Sequence, residues 1–328
     1  VRKGYTVAVV GAGLVGEQLV AEFKRREFPL TELRILARSA RIATLVGETF
    51  EVGVAEPDAF EGVDYALFAG TEGEKGAAVQ LAHEANARGA VVIDNGSDFR
   101  LNPEVPLVVP EVNPEALADH KGIVANPNCS TIQLVVTLAP IAREFGLKRV
   151  VVSTYQAVSG AGRGGVEALE NGREDAFPKP IVGNAIPLIG GVDESGYTTE
   201  EKKMKEESRK ILSLPGLPVF PTAVRIPVHT GHAESVYVET EKEITLPEVL
   251  EVFHTAPGVS FSGEAASFPT PLEAAGDPRV YIGRVRVEES TIEYWCVADN
   301  LLKGAATNAV QIAESFVGAP KSVSSAGV

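Results

Sequence analysis

A two-domain α/β chain is predicted, a doubly wound parallel sheet followed by an α+β domain with a mixed or antiparallel sheet, and three observations carry that prediction. The length of 328 residues suggests about two domains at roughly 100–200 residues each. From the N-terminus to Ala139, strands alternate with helical stretches, starting with a strand, a glycine loop and a helix. Beyond Arg149 the strands follow one another without regular intervening helices, as in a mixed or antiparallel sheet.

Taken in order, Tyr5–Val10 is a β-branched apolar run, Gly11 to Gly16 a glycine turn, and Leu19, Val20 and Phe23 recur at helical spacing. Leu33–Ala37, Tyr65–Ala69 and Ala90–Ile93 read as strands, with a helical stretch over Gly76–Arg88 between the last two. This is the alternation of a Rossmann-type sheet. A further strand, Gly122–Ala125, ends at Asn126-Pro127-Asn128-Cys129, and Ser130–Ala139 reads as a helix capped by Asn128. The nucleotide domain is therefore expected to span residues 1–128, completed by a C-terminal helix within 305–328 whose apolar residues over Ala305–Phe316 are helically spaced. Residues 129–304 make the second domain. Its strands are Arg149–Gln156, Val219–Pro227, Ser235–Glu241, Val280–Val287 and Glu293–Val297, with a Pro- and Gly-rich loop over Phe177–Gly191 and a charged amphipathic helix over Thr199–Leu212. Val317–Val328 reads as a frayed tail.

Apolar residues make up 45% and charged residues 23%, the composition of an ordinary folded protein rather than a disordered one. With 30 Lys+Arg against 44 Asp+Glu the formal charge is −14, and no basic block is present to track a phosphate backbone, which argues against nucleic acid and anionic membrane as partners. Apolar runs such as Ile132–Ala139 fall far short of the roughly 20 residues that span a bilayer, and a cytoplasmic protein is expected. The two cysteines, Cys129 and Cys296, make no disulfide framework, and neither has a CxxC partner, so no metal site is expected.

Gly11-Ala12-Gly13-Leu14-Val15-Gly16 has the dinucleotide spacing between a strand and a helix, where the helix N-terminus offers N–H groups and partial positive charge to a pyrophosphate. About twenty residues on, where an NAD-binding chain presents a carboxylate to the ribose, stand Ala37-Arg38-Ser39-Ala40-Arg41. Arg38 can pair a 2′-phosphate, so NADP is favoured over NAD. Cys129 stands in the first turn of a predicted helix, where the dipole favours the thiolate and makes it a nucleophile. His232, after Gly231 and between two predicted strands, is expected to face that nucleophile across the domain cleft and to act as acid or base near neutral pH. Cys296 fits a buried strand position, and His83, His120 and His254 have no partner pattern. A nicotinamide fold with a cysteine and a histidine suits thiolate attack on an aldehyde, hydride transfer to NADP⁺ and release of a thioester to an acceptor.

At these residues the chain resembles the aspartate-β-semialdehyde dehydrogenase family over nearly its whole length. Asn126-Pro127-Asn128-Cys129-Ser130-Thr131 resembles the family's nucleophile segment. Thr154-Tyr155-Gln156-Ala157-Val158-Ser159-Gly160-Ala161-Gly162, Arg225 through Ser235, and Asp299-Asn300-Leu301-Leu302-Lys303-Gly304-Ala305-Ala306 match its other characteristic stretches. A sister family, the N-acetylglutamyl-phosphate reductases, typically has glycine where this chain has Asn128. The resemblance implies a reversible, NADP-dependent reductive dephosphorylation of L-aspartyl-4-phosphate to L-aspartate 4-semialdehyde in lysine, threonine and methionine biosynthesis, carried out by a homodimer formed through the second domain.

It implies Cys129 as nucleophile, His232 as the acid/base for the thiohemiacetal hydroxyl proton, and Gln156 as the residue that orients the thioester. Arg225 would hold the substrate carboxylate, Arg100 and Lys203 the phosphate, and Glu200 the ammonium, with Asn128 also in the substrate site. Asn300 would meet the nicotinamide carboxamide, and Thr71, Ser159 and Gly160 would join Gly11–Gly16, Arg38 and Ser39 on the cofactor. The chain departs from the family's usual pattern in its nucleotide domain: the glycine loop is one residue shorter, Ala69-Gly70-Thr71-Glu72-Gly73 replaces a serine/glycine loop, and Asn95-Gly96-Ser97-Asp98 replaces a Ser-Ala ending. Two rival readings are a related reductase acting on another acyl-phosphate or acyl-CoA, and a catalytically silent NADP-binding sensor.

Overall fold

In the computed structural model, which describes residues 4–70, 76–173 and 175–318, the chain divides into two units, residues 1–127 with 305–328, and residues 128–304. The first unit is built on β1 (Tyr5–Val10), β2 (Leu30–Ala37), β3 (Arg41–Leu45), β4 (Glu48–Val54), β5 (Tyr65–Phe68), β6 (Val91–Asp94) and β7 (Ile123–Ala125), with α1 (Leu14–Arg25) and α2 (Ala77–Ala87) between them. The strand order is β3-β4-β2-β1-β5-β6-β7. β1 pairs in parallel with β2 on one side and β5 on the other, so the order reverses there, and such a reversal opens a crevice beyond the carboxyl ends of the strands. Val7, Val9, Leu67, Ile93 and Val124 are buried in its core, the β-branched content expected of strands covered on both faces.

The hairpin β3–β4 is not foreseen by the sequence reading. Its strands expose most side chains and lack the alternation that marks a half-buried strand, and its turn, Val46-Gly47, has φ of 52° and 73°. A C-terminal helix, α8 (Thr307–Glu314), belongs to this unit and packs on α1. Arg26 forks onto the Glu314 carboxylate at 2.8 and 2.6 Å, and the Thr307 hydroxyl donates to Glu22 at 2.7 Å. Most of the expected frayed tail lies outside the described residues.

The second unit contains α3 (Cys129–Phe145), β8 (Arg149–Gln156), α4 (Gly162–Asn171), α5 (Thr199–Ile211), β9 (Val219–Arg225), β10 (His232–Glu239), α6 (Leu246–Thr255), β11 (Val259–Phe261), α7 (Pro271–Ala274), β12 (Val280–Glu288) and β13 (Thr291–Ala298). Its six strands run β11-β12-β13-β10-β8-β9. β10 is antiparallel to β8 and β13, whereas β8 and β9 are parallel because α4 and α5 lie in their connection. The sheet is therefore mixed. α4 and α6 escape the sequence reading, the first because glycines dominate its opening turn. α3 continues past Pro140 to Phe145, since buried Ile141 and Phe145 extend its apolar face and outweigh one lost backbone hydrogen bond. β10 begins at His232 rather than Ser235, directly after Gly231 turns the chain at φ +96°. Alternation along β10 sends His232, Glu234 and Val236 to one buried face. The same face carries Tyr294 of β13, which shares a 2.8 Å hydrogen bond with Thr137 of α3.

Candidate active site

The start of α3 is organised by one residue. Asn128 Oδ1 accepts the N–H groups of Ser130 at 3.0 Å and Thr131 at 3.1 Å, and its carbonyl accepts that of Ile132 at 2.9 Å. Cys129 is thus the first helical residue, at the positive end of the dipole. The Asn128 side chain donates Nδ2 to Glu200 Oε1 at 2.9 Å, and its main-chain N–H donates to Glu207 Oε2 at 2.7 Å; both carboxylates stand on α5. Gln156, ending β8, donates to the same Glu200 oxygen at 3.2 Å and to Thr154 Oγ1 at 3.2 Å. Cys129 is partly exposed and in no disulfide. A Cβ on Gly304 would come within 2.8 Å of the Cys129 Cβ, so glycine is needed for that approach.

His232 is fully buried, and its Nδ1 accepts the main-chain N–H of Ala157 at 3.0 Å. The neutral ring therefore carries its proton on Nε2, and that atom has no partner among the described residues. Burial holds the imidazole well below its ordinary value of 6.5, and Arg225 pushes it the same way. Arg225, ending β9, donates Nη1 to the Ala157 carbonyl at 2.7 Å, lies 5.9 Å from the Phe177 ring centre and leaves Nε without a partner among the described residues. Burial lowers its pKa, while Glu200 and then Cys129 raise it. A Cβ on Gly160 would stand 2.8 Å from Arg225 Nη1 and 3.2 Å from His232 Nε2, so both groups converge where only glycine leaves room. Asn300 steadies the surrounding loops: its Oδ1 accepts from Gly231 N–H at 2.9 Å, and its amide exchanges hydrogen bonds with the Ser159 hydroxyl at 3.0 and 3.2 Å.

His232 on β10 and Cys129 on α3 belong to one unit, so the histidine does not face the thiol across a cleft between domains, although the expected bounds of 129–304 already held both residues. Lys203 is half-buried, one turn beyond Glu200 on α5. Two participants were missed by the sequence reading, Ala157, whose peptide groups hold His232 and Arg225, and Glu207. The seven-residue spacing from Glu200 on an amphipathic helix could have pointed to Glu207.

In the first unit, Gly11 takes φ +115° and donates its N–H to the Leu36 carbonyl at 2.8 Å. A Cβ on Gly16 would fall 1.9 Å from the Gly11 carbonyl oxygen, so the helix can approach the turn only as glycine. Ala12 and Gly13 precede α1, whose first residues are Leu14 and Val15 and whose cap, Gly13, offers no side chain to its N–H groups. These fit a pyrophosphate cradle. Arg38 and Ser39 are exposed just beyond β2, and Thr71 lies outside the described residues. Arg100 is buried and donates to the carbonyls of Asn126 at 2.9 Å and Asn95 at 2.7 Å. Asn126 in turn donates to Asn95 and accepts from Asn308. Among the described residues, no helix is long and apolar enough to cross a membrane, and no cluster of His, Cys, Asp and Glu could hold a metal ion.

Two family models match the chain, "Semialdehyde dehydrogenase, NAD binding domain" over residues 6–120 and "Semialdehyde dehydrogenase, dimerisation domain" over residues 138–303. The aspartate-semialdehyde dehydrogenase of Aquifex aeolicus is 47% identical over 338 residues, covering 96% of this chain and 98% of its own. That of Bacillus subtilis is 44% identical over 341 residues, with coverage of 96% and 98%. The crystal structure of aspartate semialdehyde dehydrogenase II from Vibrio cholerae superposes with a TM-score of 0.91 at 43% identity, covering 96% of this chain and 98% of that one. The structure of that protein complexed with ASA gives the same TM-score of 0.91.

Proposed function

The chain belongs to the aspartate-semialdehyde dehydrogenase family, and on that premise we propose that it reduces L-aspartyl-4-phosphate to L-aspartate 4-semialdehyde, reversibly, with NADP as its nicotinamide cofactor. One observation carries the reading: a thiol at a capped helix start shares a unit with two buried donor atoms, His232 Nε2 and Arg225 Nε, that no described residue satisfies. Buried unsatisfied donors of this kind await a ligand with acceptor oxygens.

The Cys129 thiolate attacks the acyl-phosphate carbonyl. The carbon–sulfur bond forms, the bond to the phosphate oxygen breaks, and phosphate leaves with the electron pair. Lys203 holds that phosphate, Arg225 the substrate carboxylate through the edge that no described residue pairs, and Glu200 the ammonium. Gln156 orients the thioester, with Asn128 beside it in the substrate site. Held at the Gly11–Gly16 turn, NADPH would supply hydride for reduction of the thioester carbon. As charge grows on the carbonyl oxygen, neutral His232 donates to it from Nε2. The carbon–sulfur bond then breaks and the thiolate returns to Cys129. No proton need pass through the ring, so His232 acts as a hydrogen-bond donor rather than as an acid/base. The Ala157 N–H already occupies the nitrogen that an imidazolium would have to protonate.

In this proposal residues 1–128 with 305–328 form the NADP domain and 129–304 the catalytic and dimerisation domain. Gly11–Gly16 cradles the pyrophosphate, Arg38 and Ser39 meet the 2′-phosphate, and Thr71, Ser159, Gly160 and Asn300 serve the nicotinamide side. A homodimer through the second sheet is supported by the dimerisation-domain match and by Phe220 and Val151, 45% and 39% exposed on its strands. A thiol nucleophile suits the reducing cytoplasm.

The test is phosphate-dependent reduction of NADP⁺ with aspartate semialdehyde, run beside NAD⁺ and beside N-acetylglutamate semialdehyde. Turnover with the first pair, abolished in Cys129→Ala while NADP binding persists, is expected. Substantial activity in Cys129→Ala, or preference for the N-acetylated aldehyde, overturns the assignment.

A further inference from the structure

Glu207 takes no part in the steps above, yet it is only 1% exposed, and burying a carboxylate is costly unless it is charge-compensated and hydrogen-bonded. An apolar side chain would fill the same space more cheaply. What the carboxylate does there is seen by comparing two helix starts. At α5 the cap is a closed box: Thr198 Oγ1 accepts the Glu201 N–H, and Glu201 Oε2 accepts the Thr198 N–H at 2.7 Å. At α3 the equivalent third helical position is Thr131, too short to reach back, and its hydroxyl instead approaches Asn128 Oδ1 at 3.4 Å. The Asn128 N–H is satisfied from another helix, by Glu207 Oε2 at the same 2.7 Å.

The box at the nucleophile is thus completed in trans. Glu200, seven residues earlier on α5, takes the Asn128 side-chain amide at 2.9 Å, so two carboxylates of one helix face grip the residue before Cys129 by its main chain and by its side chain. With its carbonyl given to Ile132 and its Oδ1 to Ser130 and Thr131, the cap is held at φ −60° and ψ 145° from every polar group it has.

We propose that Glu207 is a positioning residue for the nucleophile: by accepting the Asn128 N–H it sets the direction in which Cys129 enters α3, and so ties the thiol to the helix that carries Glu200 and Lys203. The proposal rests on the reading of Cys129 as nucleophile.

Three variants test it. Glu207→Gln keeps an acceptor oxygen at the same reach, Glu207→Asp keeps the charge but withdraws the oxygen by one methylene, and Glu207→Ala removes both. Glu207→Asp should lower kcat by about tenfold or more, with KM for semialdehyde and NADP⁺ within about twofold, because misplacement of a reacting group costs rate rather than uniform binding. Alkylation of Cys129 by iodoacetamide should slow in parallel, and Glu207→Gln should recover kcat to within about threefold. Rates are compared only for variants that keep the wild-type melting transition. If Glu207→Ala fails to fold, the Asp and Gln variants decide. Wild-type kcat in folded Glu207→Asp, a loss confined to KM, or a loss in Glu207→Gln equal to that in Glu207→Asp overturns the proposal. Failure of the nucleophile reading shows differently, as activity and iodoacetamide sensitivity that persist in Cys129→Ala.

Discussion

The main-chain N–H of Ala157 donates to Nδ1 of His232 at 3.0 Å, and this one bond decides which nitrogen of the ring faces the site. Burial, with Arg225 beside it, pushes the ring well below its ordinary 6.5 and so favours its neutral form. The kcat profile should therefore show no inflection from His232 between about pH 6 and 8. Removing the donor in His232→Ala should lower kcat by about 10²–10³-fold, and His232→Gln, which offers an amide N–H, should recover part of it. Steady-state rates in both directions check this.

Arg225 spends Nη1 on the Ala157 carbonyl and leaves its buried Nε without a partner among the described residues, the edge proposed above for the substrate carboxylate. A lysine cannot do both. Arg225→Lys should raise the KM for aspartate semialdehyde by about 10–100-fold with a smaller change in kcat, read from saturation curves at fixed NADP⁺.

Gly160 lies against both groups. In Gly160→Ala the new methyl would stand 2.8 Å from Arg225 Nη1 and 3.2 Å from His232 Nε2. Turnover should fall by about tenfold or more, since the side chains must move off their places. The melting temperature should change little because no positive φ is involved there, and a calorimetric scan beside the kinetics separates the two effects.

Glu234, two residues beyond His232 on the same buried face, is pushed well above its ordinary carboxyl range by burial. The unfolded chain releases this proton above about pH 4.5 while the folded chain keeps it, so the unfolded state binds fewer protons and stability falls as pH rises. Glu234→Gln removes that slope. Its melting temperature relative to wild type should rise progressively from pH 5 to pH 8; a difference that is flat or that shrinks over this range contradicts a neutral Glu234.

Arg38 is exposed beyond β2, where a 2′-phosphate would sit. Arg38→Glu should raise KM for NADP⁺ by about tenfold or more and leave KM for NAD⁺ nearly unchanged, because the lost pairing is specific to the phosphate. Equal effects on both cofactors would mean that Arg38 does not read it.

What was legible in the sequence is what neighbouring residues dictate. The β-branched run of β1, the glycines of the turn after it and the helical spacing of Leu19, Val20 and Phe23 announce a strand, a turn and a helix from local sterics alone. Asn128 announces the start of α3 because a cap bonds N–H groups two and three residues away. The hairpin β3–β4 and the helix α4 stayed hidden for the converse reason, since one exposes its strands and the other opens on glycines, leaving little apolar periodicity to see.

By itself, then, the sequence determined the α/β class, the glycine loop, the capped cysteine and the presence of a histidine and an arginine suited to its chemistry. Only the tertiary structure decided how they act together. The tautomer of His232 depends on an N–H 75 residues away and the grip on the Cys129 cap on a carboxylate 79 residues away, and neither separation follows any local rule. Such bonds form only once α3, α5 and the mixed sheet have packed, because packing selects which of many distant donors and acceptors are brought within reach.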